Sequence, residues 1–389
     1  MSTPLTFDPS EFGAIGSGQT HPLRWNFSDI KEAQQTYPAA ISLEDERDWI
    51  GIQGALNAAR DYVRATLARG NAPAIHRTGG AYAPIVFIPP GRYLINRPLS
   101  VYPHVTVKGA DWGHSQLQLT SWVENYDPMT CNKQGVMWCG SGSKSSAVLW
   151  LRGDEEWPLG TGQKVAGMVA TICNLGIKCH EGAAIFVGSN QNQLSIRDCW
   201  INGWGAGPDG LGIIANNPTS STQITNLFLH NNMIEGCRAA IVMDRVVIGS
   251  IDHNQIESCG SGIYAGSGEA LSIDDNKLTC SIPAKPFENG IWLGCGVSCS
   301  ISNNTIKDVT LSGIKILGKD CSVANNRIRL IKSGASGIHI VTQANQFGGD
   351  VTVLGGRSGP YCLDGNIAAG SLTPLWLDKT QAEPEILIV

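Results

Sequence analysis

Three residues able to carry protons or charge, His230, Asp252 and Asp274, recur at one constant interval, each directly after an aliphatic residue: Leu229, Ile251 and Ile273. A chain that returns on itself at that interval stacks them in one file, pointing outward because strand side chains alternate. Stacked strands lie ~4.8 Å apart, so the two carboxyls become neighbours. Carboxyls that close hold one proton between them more readily than they both ionise. The protonated group can then protonate a glycosidic oxygen while its partner acts as base or nucleophile. Arg197, after Ile196, extends the same file. It can anchor an anionic substrate such as a uronate, and with a base that removes a proton the set also suits elimination. His230 would carry a proton or tune the acids. The plainer reading of the file is a solvated polar stripe on one sheet face.

Two further files follow from the same counting. Glu235 and Glu257 come after Ile234 and Ile256, with Asn202 before them and Thr279, Lys307 and Arg329 after. They lie nearer a turn, where a solvated edge is the ordinary outcome, although either could act with the Asp file across a bend. The third file is Phe186, Val242, Tyr264, Trp292, Lys315 and His339. An aromatic run on an open face suits sugar rings, whose apolar sides stack on aromatic planes. Cover by a loop or a neighbouring subunit is the equal alternative. Trp200 and Trp204 add to the aromatic supply, so Trp292, Tyr264, Trp200, Trp204 and Lys315 are the candidate substrate contacts. The Asp154-Glu155-Glu156 run reads as a solvated loop.

The elements that must position these files are short strands. Leu227-Phe-Leu-His-Asn-Asn-Met-Ile234 recurs as 249–256, 271–278, 299–306 and 321–328, with a shared Asn at 232, 254, 276, 304 and 326. Between the copies lie Gly-Ile pairs at 262, 290, 313 and 337, each opening a short β-branched run. Strands that repeat at such an interval without intervening helices do not make a βαβ sheet. They fit a parallel β-helix, in which each coil buries little alone and stacks on the next. The repeated Asn then forms a ladder at a bend, a place that suits Asn because it tolerates left-handed backbone. Upstream, apolar residues at 49, 52, 55, 56, 59 and 63 have helical spacing, with Asp48 as the expected cap. This helix is expected to cover the end of the coil stack, since open strand edges need cover. The expected organisation is 1–84 as opening segment and capping helix, 85–355 as β-helix with loops inserted at about 120–165, and 356–389 as closing segment.

Phe12-Gly-Ala-Ile-Gly-Ser-Gly-Gln-Thr20, the Asp48-Trp-Ile-Gly-Ile-Gln53 stretch and Phe87-Ile-Pro-Pro-Gly-Arg-Tyr93 together resemble the opening of pectate-lyase-like proteins, including the lyase-3 type and phage tailspikes. The Asn-Asn-x-Ile copies resemble their right-handed repeats. The resemblance implies an all-β, single-stranded, right-handed parallel β-helix with an N-terminal capping helix. It says little about activity, since such helices host several chemistries and pure scaffolds. Ser17 stands where the usual motif carries an acid. A weaker similarity, around Ile251-Asp-His-Asn-Gln-Ile-Glu-Ser-Cys-Gly260, is to inulin fructotransferases. His253 and Tyr264 replace the two acids expected of that family, which disfavours its chemistry here. Both resemblances imply a homotrimer.

Composition narrows the classes. The 389 residues carry 28 Lys+Arg against 33 Asp+Glu, which gives no general attraction to nucleic acid. No apolar run of about 18 residues is present, so no membrane span is expected. Met1–Ser10 has no basic stretch leading into an apolar one, so no secretory signal is expected; synthesis in the cytoplasm, with phage-associated or extracellular action, is compatible with this. The 12 Cys lack paired metal-ligand spacing and sit in apolar segments, as small buried hydrophobes do. No metal and no cofactor is expected. The reading is an enzyme cleaving glycosidic bonds of a poly- or oligosaccharide, as hydrolase or lyase, on the outer face of the β-helix. Its catalytic candidates are Asp252, Asp274, His230, Arg197, Glu235 and Glu257. The alternatives are a phage-tail-like glycan-binding or structural module and a fructotransferase-type intramolecular transfer.

Overall fold

The structure is a computed structural model that describes residues 5–68, 83–119, 147–151, 157–158, 164–165, 170–179, 182–187, 193–203, 210–215, 223–280, 287–330, 336–341, 361–364, 367–369, 373–378 and 386–387. The chain forms two compact units, Met1–Ile224 and Thr225–Val389. No helix among the described residues is long and apolar enough to cross a membrane.

In the first unit the helix Arg47–Ala68 buries Trp49, Ile52, Ala55, Leu56, Ala59 and Val63, the face its spacing predicts. It packs on the strands Ile85–Ile88, Gly91–Ile95 and Leu99–Val101. Asp48 departs from the expectation of a cap. It lies inside the first turn, and its buried carboxylate instead accepts hydrogen bonds from the Ile15, Gly16 and Leu94 N–H groups at 2.7, 2.9 and 2.9 Å. One carboxylate thereby ties the opening loop and the strand Gly91–Ile95 to the start of the helix, and three charge-assisted bonds offset its desolvation. Gly51 lies where a Cβ would sit 2.2 Å from the Ala14 backbone nitrogen, so the helix and the opening loop approach too closely for any side chain. Parallel strands then stack on three walls. One wall pairs Ile85–Ile88, Thr106–Gly109, Ala170–Cys173 and Leu194–Arg197 in succession. Its inward residues Val86, Val107, Ile172 and Ile196 are fully buried.

The second unit repeats the three walls. Wall A carries Val246–Asp252, Gly268–Asp274, Ser300–Ser302 and Cys321–Ala324, all parallel and in register. Ile224–His230 precedes them in the same series. Wall B carries Met233–Glu235, Gln255–Glu257 and Lys277–Thr279. Wall C carries Ala239–Met243, Ser261–Ala265 and Phe287–Val297. The pairing Ile256↔Leu278 keeps the common interval of the repeat, whereas Ile263↔Ile291 spans a longer one. The 28-residue step from Asn276 to Asn304 is therefore absorbed between walls B and C. Strands Tyr361–Asp364, Ile367–Ala369 and Thr373–Asp378 continue the three walls.

The Asn ladder runs along the corner between walls A and B. The Nδ2 groups of Asn232, Asn254, Asn276 and Asn304 each donate to the Oδ1 of the next ladder Asn at 3.0 Å, ending on Asn326, and all five residues are buried. The left-handed backbone is one residue earlier than expected, at Asn231, His253, Asp275, Asn303 and Asn325, with φ between 50° and 56°. The αL residue turns the corner and faces water, which frees the following Asn to point inward, where its amide replaces the hydrogen bonds that buried corner carbonyls would otherwise lack. The thiols of Cys173, Cys179, Cys199, Cys237, Cys259, Cys299 and Cys321 are buried, as their apolar setting implies.

Candidate functional site

Alternation along wall A fixes the first file. Leu229, Ile251 and Ile273 are fully buried, so His230, Asp252 and Asp274 point outward at the strand ends. His230 Nδ1 lies 2.7 Å from Asp252 Oδ1. Ser250 Oγ donates to the other oxygen of Asp252 at 3.1 Å. Asp252 and Asp274 are direct register partners. Asp274 Oδ1 accepts from Ser302 Oγ at 2.6 Å and from Asn303 Nδ2 at 2.9 Å. Each carboxylate therefore has its own set of donors and a fixed orientation. The Asp252 side chain keeps 28% of its surface open and His230 keeps 48%, so a ligand can reach both.

A second line of polar groups follows the αL corner, outside the files counted from the sequence. His253 Nε2 lies 3.2 Å from Asp275 Oδ2, and the His230 and His253 rings are 5.3 Å apart. Main-chain bonds hold these corners: Asn231 N–H donates to the Asp252 carbonyl, His253 N–H to that of Asp274, and Asp275 N–H to that of Ser302. The sequence does carry a signal for this line, because the residue before each ladder Asn also recurs with the coil.

The other predicted residues are distributed differently. Glu235 and Glu257 are register partners at the ends of wall B strands, half-buried. Arg197 belongs to the first unit, where its guanidinium pairs with Asp198 at 2.8 Å. Trp200 is also in the first unit, with its ring 5.9 Å from that of Trp112. Trp204 lies outside the described residues. On wall C, Tyr264, Trp292 and Lys315 are register partners. The Tyr264 and Trp292 rings meet edge to face at 4.9 Å, and Lys315 Nζ stands 4.3 Å over the Trp292 ring.

One expectation about wall C needs correction. The third file is not an open aromatic run: Phe186, Val242 and Tyr264 are buried, and Trp292 with Lys315 forms its partly open portion. Burial, with the Asp244 charge second, pushes the Tyr264 hydroxyl above its usual range, so it stays a hydrogen-bond donor. Tyr264 and Trp292 belong to wall C, whereas Asp252 and Asp274 belong to wall A. After Ala265 the chain turns onto wall A, and the acids sit at the far end of the strand Gly268–Asp274, which bends at the left-handed Ala270.

Comparison with known proteins agrees on the architecture. Residues 183–355 match the family described as right handed beta helix region. No curated protein matches the sequence. Among solved structures, the enzymatically active domain of tailspike protein 2 of bacteriophage CBA120 is 9% identical over 99% of this chain, with a TM-score of 0.57; this chain spans 47% of that one. DFA-IIIase of Arthrobacter chlorophenolicus A6, solved in complex with GF2, is 12% identical over 98% of this chain and 94% of that one, with a TM-score of 0.50. At these identities the likeness concerns fold. The chain is a right-handed parallel β-helix with an N-terminal helix.

Proposed function

We propose that this protein processes carbohydrate by cleaving glycosidic bonds of a poly- or oligosaccharide at the wall A file. The observation that carries the reading is the register pairing of Asp252 with Asp274, with His230 bonded to the first. Neighbouring strands set such carboxyls about 5 Å apart, the range in which one acts as acid and the other as nucleophile on the same sugar. Asp252 shares a proton with His230 and delivers it to the leaving oxygen. Asp274, aimed by Ser302 and Asn303, is the nucleophile or base. This spacing favours hydrolysis over elimination. Trp292 and Lys315 form a separate stacking surface that a long glycan can use in addition. That a tailspike domain of the same fold is described as enzymatically active, and that DFA-IIIase was solved with GF2, is in keeping with sugar chemistry on such a scaffold. The homotrimer implied by the tailspike resemblance belongs to this proposal.

The test is the pair Asp252→Asn and Asp274→Asn, assayed on glycan panels for reducing-end release and for the ultraviolet absorbance of an unsaturated uronate. Each variant should lose at least ~100-fold in rate, the usual contribution of a positioned proton-transfer group. A rise in absorbance would make the cleavage an elimination. Parental rates in both variants, on a glycan that the parent cleaves, contradict the assignment.

A further inference from the structure

We propose that His230, Asp252 and His253 form a binding site for a divalent first-row transition ion, with Zn²⁺ as the type case. The ligating atoms of these three residues all lie within 4.8 Å of one another. In a tetrahedral Zn²⁺ site, with metal–ligand bonds of about 2.0–2.2 Å, neighbouring ligand atoms are separated by about 3.4 Å. His230 Nδ1 and Asp252 Oδ1, now 2.7 Å apart, would part by roughly 0.7 Å as the ion replaces the hydrogen bond between them. The remaining adjustment falls on the His253 side chain, which is half exposed and has room to rotate. Counting the outward file alone does not reveal this set, because His253 lies at the left-handed corner one residue beyond it.

The donor set decides the class of ion. Two imidazoles and one carboxylate suit zinc, nickel, cobalt or copper, whereas calcium and magnesium take oxygen-rich sets. Asp275 lies 3.2 Å from His253 and Ser250 bonds Asp252, so two of the three ligands already have the outer partners that orient metal-binding side chains. The carboxylates of Asp252 and Asp275 together balance a divalent charge. The corner backbone is held by the buried Asn ladder and by the Asn231 and His253 N–H groups, so the ligands are anchored before an ion arrives. Solvent reaches both His230 and His253, which leaves at least one position for water or an exchangeable ligand.

This inference does not rest on glycan cleavage, since binding is measured on the full chain without sugar. Titration calorimetry with Zn²⁺ alone, and the visible absorption of Co²⁺, should show one equivalent bound. His253→Asn introduces the residue type found at three sister corners, Asn231, Asn303 and Asn325, and His230→Ser introduces that of the sister position Ser302, so both variants should fold. Each should weaken Zn²⁺ at least ~10-fold, and Glu288→Gln, on wall C, should leave it unchanged. The absence of saturable binding, or equal affinity in both histidine variants and the parent, overturns the site.

Discussion

His230 Nδ1 and Asp252 Oδ1 lie 2.7 Å apart although they belong to successive coils. The pair exists because each coil of the β-helix returns the chain to the same wall at a constant interval, so a proton donor on one strand meets an acceptor on the next. In His230→Asn the amide fills the space but neither relays a proton nor supports the acid role of Asp252. The expected outcome is a rate loss of about 10- to 100-fold on a cleaved glycan, smaller than that of the Asp variants, with KM nearly constant. Rates read beside KM settle it; a change confined to KM would make His230 a substrate contact alone.

The Asn ladder makes a stability prediction. Asn254 accepts from Asn232 and donates to Asn276 and to the Leu229 and Asp252 carbonyls, all within 3.0 Å. Asn254→Ala leaves buried donors and acceptors unpaired on both neighbouring coils. The expected loss is about 3 kcal/mol, since each stranded buried group costs about 1–3 kcal/mol and some rearrange to share partners. Denaturant unfolding of the two proteins measures it.

Glu46 makes a pH prediction. Its carboxyl is buried at the opening segment, and desolvation raises its pKa above the ordinary glutamate value despite the bond it accepts from the His21 N–H group. A carboxyl with a raised folded pKa binds more protons in the folded state than in the unfolded one. Its stabilising contribution is therefore full below the ordinary glutamate pKa and is lost as pH rises through the folded value. Glu46→Gln keeps an acceptor for His21 and removes the ionisation. The Tm of the variant relative to the parent should rise as pH is raised from about 4 towards neutrality. A difference that stays flat with pH would mean that burial does not govern this group.

Much of this is legible in the sequence because the coil length is nearly constant. Counting from Leu229, Ile251 and Ile273 yields the inward positions, the outward file and the Asn ladder with their correct neighbours. The helix face around Trp49 and Ile52 is equally plain from its spacing. What periodicity does not carry is where the corners fall. The left-handed residue is the one before each Asn, and this brings His253 and Asp275 beside the file. Nor does counting along the chain say how far Tyr264 and Trp292 on wall C stand from the acids on wall A. Asp48 escapes a sequence reading for a related reason: its three partners come from two distant segments, and capping is a local rule.

The most direct measurement is a crystal structure of Asp252→Asn with an oligosaccharide that the parent cleaves, the substitution slowing turnover enough to hold the sugar. The account predicts a glycosidic oxygen within about 2.6–3.2 Å of the side chain at position 252, with the adjoining anomeric carbon facing Asp274. A saccharide seated on Trp292 and Lys315 alone, with water over Asp252 and Asp274, would contradict it.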